Sequence, residues 1–353
     1  MPLGFRRHPI HGLLFDAPVR NALRQEYERM PRGKRAALLR KALQRELLLW
    51  LTGQSRRRVA CAPAQAQRVL WIYNWTTLGD SLMDLAVRQV LPPTLRLDLY
   101  IAPALAPLYE GDAHLNRVYT RIEDCTGPYD FVLLQDLNTA SLWLKRRCAP
   151  RAPFATVFEH LRGEHFDRLS FAQRRFEQLF HLSPAAPRQP LLALGPRSEA
   201  AGTRTRIAVA LGARDPRRWY RRWPDVLQEL LRCWPADRPA PEFVLIGNNN
   251  AHDDLSAFPQ TLLDAHCRVE IGQHDLRGTA ELIRDCDAFL GIDGGLMHLA
   301  VACRLPGLAV FVEIDPALRL LPGTRLQSLF SEQPIDSLLP QVLAQRLLEA
   351  LDR

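Results

Sequence analysis

Short apolar runs, each ending in a turn-forming segment and followed by apolar positions at three- and four-residue spacing, recur along this chain from residue 68 onward. The runs at 68–74 (RVLWIYN), 97–102, 117–119 and 130–135 (DFVLLQ) lack polar alternation, the pattern of strands covered on both faces. Between them the spacing predicts a turn at 76–80, a helix over 81–90 stopped by Pro92 and Pro93, and a helix near 105–110. Residues 154–181 are expected to be helical, broken near Gly163 and capped at Ser170. A second series follows. Strands are expected at 206–211, 242–247, 268–271, 288–292 and 307–312, and helices at 223–234, 253–266, 276–286, 296–303 and 335–351. Regular strand–helix alternation predicts parallel sheets. Residues 183–205, rich in Pro, Ala and Gly, divide the two series as a linker.

The expected fold class is therefore α/β, with two Rossmann-like doubly wound domains, 66–190 and 205–335, facing each other across a ligand-sized cleft. Residues 336–353 form a closing helix and residues 1–65 a helical extension. The sequence contains no internal repeat. A length of 353 residues suits two cores better than one.

Charge changes the picture at the N-terminal end. Residues 1–65 hold 14 Lys and Arg against 4 Asp and Glu, while the remaining residues hold 32 against 34. Within this arm, residues 33–53 place Ala36, Leu39, Leu43, Leu47 and Trp50 at helical spacing beside Arg35, Lys41, Arg45 and Arg56–Arg58. Such a helix suits peripheral contact with an anionic membrane through residues 33–58. Packing on the protein's own body is the favoured reading, because residues 47–51 are apolar almost all round. No nucleic-acid-binding motif accompanies the charge, so nucleic acid is not an expected partner. No run reaches the length of a membrane span and no signal peptide is read. Seven cysteines without a paired spacing fit free thiols and a cytoplasmic location.

The candidate chemistry lies at strand ends. The segment DAFLGIDGGLMHLA, 287–300, runs a buried strand into a helix through Asp293, Gly294 and Gly295, with Leu296, Met297 and His298 in the helix's first turn. Free N–H groups at a helix start, after a glycine, favour a phosphate. A capped βα turn with a packed histidine is the plainer alternative. After the 206–211 strand, Gly212 precedes five arginines, Arg214, Arg217, Arg218, Arg221 and Arg222, able to clamp phosphates. Gly247 and Asn248 end the 242–247 strand and are expected to line the same side. In the first domain, Gly79, Asp80 and Ser81 end the turn after the first strand. There Asp80 is either a helix cap or a base for a substrate hydroxyl. Asp285 and Asp287 have the D-x-D spacing of a metal motif but sit where a helix meets a buried strand. No dinucleotide fingerprint, P-loop or H-E-x-x-H occurs.

Together, Leu78-Gly79-Asp80, Arg221-Arg222-Trp223-Pro224 and Asp293-Gly294-Gly295-Leu296-Met297-His298-Leu299-Ala300 resemble the signatures of glycosyltransferase family 9, the ADP-heptose:lipopolysaccharide heptosyltransferases of GT-B fold. Gly294 stands where the family has threonine, Arg221 where it commonly has lysine, and the basic arm is an addition. The resemblance implies inverting transfer of a sugar, heptose from ADP-heptose, to an acceptor hydroxyl in lipopolysaccharide core or other glycan assembly. Asp80 would be the base, and Arg221 and the 294–298 turn would hold the diphosphate. His298 would hold a phosphate oxygen or fix the loop. Neither metal nor cofactor is expected beyond the nucleotide-sugar substrate. The partners implied are that donor and a glycan or lipid-linked acceptor, met at the inner membrane face. Two alternatives stand: a GT-B transferase using another nucleotide sugar on a protein or small glycan, and a non-catalytic GT-B-like binding module.

Overall fold

In the computed structural model, residues 27–158, 167–198, 204–212 and 215–352 are described. The chain divides into two compact units. One comprises the described residues up to Thr76 with Asp84–Arg188, the other Thr77–Met83 with Gln189 onward. Each is built on its own parallel sheet, as the unbroken apolar runs require.

In the first unit, β1 (Arg68–Tyr73), β2 (Arg96–Ile101), β3 (Arg117–Tyr119), β4 (Phe131–Leu134) and β5 (Phe154–Thr156) lie in the order β3-β2-β1-β4-β5. All pairs are parallel. The order reverses beside β1, whose carboxyl end leads to α2 (Leu78–Leu85). Helix α3 (Thr139–Cys148) follows β4, and α4 (Arg168–Phe180) follows β5. Buried Asp84 accepts hydrogen bonds from Tyr73 Oη (3.1 Å), Gln135 Nε2 (2.6 Å) and both Nε and Nη2 of Arg168 (2.5 and 2.8 Å). The Arg168 guanidinium stacks on the rings of Trp75 and Phe158. A buried carboxylate with this many donors is compensated for lost hydration.

The basic helix α1 (Arg32–Leu51) belongs to this unit. Leu49 is buried in its core and Leu48 packs against the same cluster. Burying a leucine is worth roughly 1.5–3 kcal/mol, so α1 is held on the body. Residues 1–26 of the arm lie outside the described residues.

In the second unit, β6 (Arg206–Ala210), β7 (Glu242–Ile246), β8 (Cys267–Val269), β9 (Ala288–Ile292), β10 (Gly307–Val312) and β11 (Leu326–Ser331) lie in the order β11-β10-β9-β6-β7-β8. The order reverses between β6 and β9. The helices are α5 (Trp223–Cys233), α6 (His252–Leu255), α7 (Gln260–His266), α8 (Leu276–Arg284), α9 (Gly295–Ala302) and α10 (Pro340–Leu351). Helix α5 shows why the pattern folds this way: Trp223, Val226, Leu227 and Leu230 recur on one face and pack with Ile207 and Val209 of β6.

Several expectations are corrected. Residues 154–156 are an edge strand rather than the start of a helix, because Phe154, Ala155 and Thr156 are all buried and pair with β4. Helix α4 begins only at Arg168, and its cap is Asp167, whose carboxylate accepts from Ser170 N at 3.0 Å. Gly163 lies outside the described residues. The helix expected near 105–110 is a short 3-10 turn, Ala106–Leu108. The 253–266 helix is split in two: one segment ends at Leu255, and the next starts at Gln260, directly after Pro259. The last helix starts at Pro340, after a 3-10 turn at Ile335–Ser337. Helix α2 starts three residues earlier than expected, at Leu78.

Candidate functional site

In an open parallel sheet, ligands bind beyond the carboxyl ends of the strands where the order reverses. In the second unit that place lies between β6 and β9, and both strand ends carry the residues singled out above. After β9, Asp293 N donates to Val310 O (2.8 Å), which ties the turn to the neighbouring strand. Gly294 then occupies the position before α9 in extended backbone (φ 174°), and no side chain caps the helix. The first N–H groups of α9, from Gly295, Leu296 and Met297, therefore have no intrahelical acceptor and point out of its positive end. The Met297 side chain is buried in the core, so only its backbone serves this role.

After β6, Gly212 turns the chain in the left-handed region (φ +72°), and its N–H donates to Asp254 Oδ2 at 2.8 Å. Asp254 also accepts from Trp219 Nε1, and burial pushes its carboxyl above the usual range. A 3-10 turn, Pro216–Arg218, then carries the arginines. Arg218 Nη1 reaches Asp293 Oδ2 at 3.2 Å and the Asp293 carbonyl oxygen at 3.5 Å. Its Nε is buried and has no hydrogen-bond partner.

The other arginines are placed differently. Arg217 pairs with Asp215 and Glu313 at the surface. Arg221 lies over the Trp219 ring, and its N–H donates to Asp336 at 3.1 Å. Arg222 pairs with Asp225 at 3.3 Å, and Arg214 lies outside the described residues. The cation joined to the Asp293 turn is thus Arg218. The run of arginines made it a candidate, but only the loop's conformation selects it from its neighbours. Gly247 and Asn248 follow β7, and their carbonyls accept from Gly272 N (3.0 Å) and Ala251 N (2.8 Å). Asp285 and Asp287 are held by Arg284, Ser198 N, Arg197 and Arg206 N, which makes them partners of cations and backbone at the linker.

The start of α2 belongs to the second unit and lies against the start of α9. A Cβ on Gly79 would come within 2.8 Å of His298 Cδ2, and one on Gly295 within 2.9–3.1 Å of three Leu78 carbons. Gly295 is therefore a close-packing glycine, and its φ is not positive. A bulky side chain there would disturb Leu78 as well as any phosphate approach. Gly294 has room: a Cβ would meet only Ile292 O, at 3.7 Å. His298 is buried against Gly79, with its N–H donating to Gly294 O at 3.3 Å. Asp80 sits half-buried inside the first turn of α2 rather than at its cap. The residue that turns back locally is Ser81, whose hydroxyl donates to Leu78 O at 2.8 Å. The sequence places Leu78 in the first-domain motif but does not show its contact with Gly295, which joins distant turns.

Residues 200–332 match the model of glycosyltransferase family 9 (heptosyltransferase). Solved structures share the fold across both units. The glycosyl transferase family 9 protein from Veillonella parvula aligns with TM-score 0.65 at 14% identity, covering 83% of this chain and 98% of that one. The E. coli ADP-heptose lps heptosyltransferase II aligns with TM-score 0.64 at 17% identity, covering 80% and 98%. E. coli heptosyltransferase WaaC with ADP gives TM-score 0.61 at 17% identity, covering 80% and 99%. No curated protein matches the sequence. With the match to that family model over residues 200–332, the two parallel-sheet units describe a glycosyltransferase enzyme of GT-B fold.

Proposed function

We propose that this glycosyltransferase moves heptose from ADP-heptose to an acceptor hydroxyl, with inversion at the anomeric carbon, in lipopolysaccharide core or related glycan assembly. The observation that carries the proposal is the meeting of Arg218, Asp293 and the uncapped start of α9 at the switch point of the second sheet. The names of the E. coli neighbours, one an ADP-heptose transferase and one solved with ADP, support the choice of donor.

In this mechanism Asp80 takes the proton from the acceptor hydroxyl as its oxygen attacks the anomeric carbon. The bond to the diphosphate breaks, and ADP leaves with the bonding electron pair. The N–H groups of Gly295, Leu296 and Met297, with Arg218, stabilise the charge that develops on the diphosphate. Arg218 is suited to this because its Nε is unpartnered and one Nη already reaches Asp293. Asp293, beside the same turn, is placed to accept from donor hydroxyls. Gly212, Gly247 and Asn248 shape the neighbouring strand ends, towards the nucleoside. These groups supply the charge needed without a metal or cofactor. The acceptor is a glycan or lipid-linked glycan.

The test is transfer from ADP-heptose, compared with UDP- and GDP-sugars, onto a truncated core acceptor, read by mass spectrometry. The proposal expects the acceptor to gain one heptose only with the ADP sugar. Transfer from a UDP- or GDP-sugar instead would overturn the donor assignment, and no transfer from any donor would favour a binding module.

A further inference from the structure

Helix α1 is packed on one side only. Ala42 and Leu49, seven residues apart, face the body of the first unit. Leu43, Leu47, Trp50 and Leu51 are each more than half exposed. At 3.6 residues per turn these four side chains fall within about 100° of the helix circumference, a single outward stripe. Helix α3 lies beside α1 over the same core and exposes Trp143 by more than half as well. The Arg146 guanidinium lies over the Trp143 ring, 4.6 Å from its centroid, in a shallow pocket also lined by Ala140, Leu144 and Arg147. Both helices belong to one unit, and a buried cluster locks them together. Lys145 of α3 donates to Gln54, just beyond α1, and both Lys145 and Gln54 donate to Pro150 O at 3.1 Å.

The charge around this apolar stripe is one-sided. From Arg29 to Arg58 the chain carries ten arginines and lysines and one acidic residue, Glu46. Arg40, Lys41, Arg56, Arg57 and Arg147 are exposed. We infer that the outward stripe of α1, with Trp143 of α3, is a docking face for an anionic lipid bilayer. Leucines and tryptophans enter the headgroup boundary while the surrounding cations meet lipid phosphates. A second copy of this chain fits the face poorly, because pairing would set ten cations against ten. A nucleic acid would leave the four apolar side chains in water. No described helix is long and apolar enough to cross a membrane, so the contact is peripheral.

Docking of this kind rests on the transfer proposed above for its purpose, a lipid-linked acceptor, but its test needs neither donor nor acceptor. Full-length protein is floated with vesicles of phosphatidylcholine alone and of phosphatidylcholine with phosphatidylglycerol. Binding to the anionic vesicles should be at least about tenfold tighter, and weaken severalfold when salt is raised from about 0.15 to 0.5 M. Leu47→Ser with Trp50→Ser should lower it about tenfold or more, as should Arg40→Gln with Lys41→Gln. Phe330→Ser, at an exposed apolar site of the second unit, should leave it unchanged. Should the double serine variant misfold by circular dichroism, Trp143→Ser on the other helix reads the same face independently. Equal binding to neutral and anionic vesicles, no binding to either, or wild-type binding by the face variants would each overturn the inference. So would a dimer in sedimentation velocity that Leu47→Ser with Trp50→Ser converts to monomer without any vesicle binding. Glycosyl transfer to a short soluble acceptor should be the same in all these variants, which separates failure of docking from failure of the proposed reaction.

Discussion

Two arginines three residues apart illustrate what a side chain's neighbours decide. Arg221 occupies the position where the family signature places a basic residue, yet it lies over Trp219 with its backbone tied to Asp336. Arg218 touches Asp293 and keeps a buried Nε without a partner. A buried donor left unpaired costs on the order of 1–3 kcal/mol, and a diphosphate would remove that cost. Arg218→Gln should therefore weaken ADP binding by about tenfold or more, and Arg221→Gln by less, measured by calorimetric titration. The opposite order would return the phosphate role to Arg221. The sequence made a cation from this loop a candidate, because five arginines crowd into 214–222. Which one reaches the turn depends on the 3-10 turn at Pro216–Arg218, and no side-chain pattern encodes that. The motif holding Asp293, Gly295 and His298 could be read because a strand, two glycines and a helix are contiguous in sequence; the contact of Leu78 with Gly295 could not, because it joins turns over two hundred residues apart.

Among the elements, two that the sequence pattern did not show are helix α3 and strand β11. Helix α3 escaped because its inward positions include Ser141 and Lys145, which interrupt the apolar spacing. β11 escaped because it is a sheet-edge strand in which only Leu326 and Ser331 are buried. Lys145 also carries an electrostatic consequence. Burial lowers its ammonium from the usual 10.5 to about 8, with Arg57 adding to the shift and Cys148 opposing it. Between about pH 8 and 10.5 the unfolded chain holds a proton that the folded chain has lost, so this group makes stability rise with pH across that window. Below about 8 the folded state keeps the buried charge and its full cost. The difference in unfolding free energy between wild type and Lys145→Met, followed by denaturant titration, should shift in favour of wild type by a few kcal/mol at most across this range. A difference that stays flat from pH 8 to 10.5 would mean that Lys145 is not desolvated in the folded protein.

Across the whole molecule, the alternation of strand and helix was enough to expect two parallel-sheet units, because the central strands of both sheets, β1, β4, β6, β9 and β10, are almost wholly buried and apolar. Burial of the α1 side chains Leu48 and Leu49 resolves the two readings of the basic arm in part: one side of that helix packs on the body while the other stays open. The central claim is that the turn at Asp80 and the turn at Asp293 to His298 serve one displacement reaction, with Asp80 as its base. Rapid-quench measurement of heptose transfer by Asp80→Asn, with ADP affinity of the same protein measured by calorimetry, tests this most directly. The account predicts single-turnover transfer slowed on the order of a hundredfold or more and ADP affinity within about twofold of wild type, since the asparagine keeps the shape of the turn. Transfer at the wild-type rate would contradict it, leaving Asp80 a structural residue in the first turn of α2.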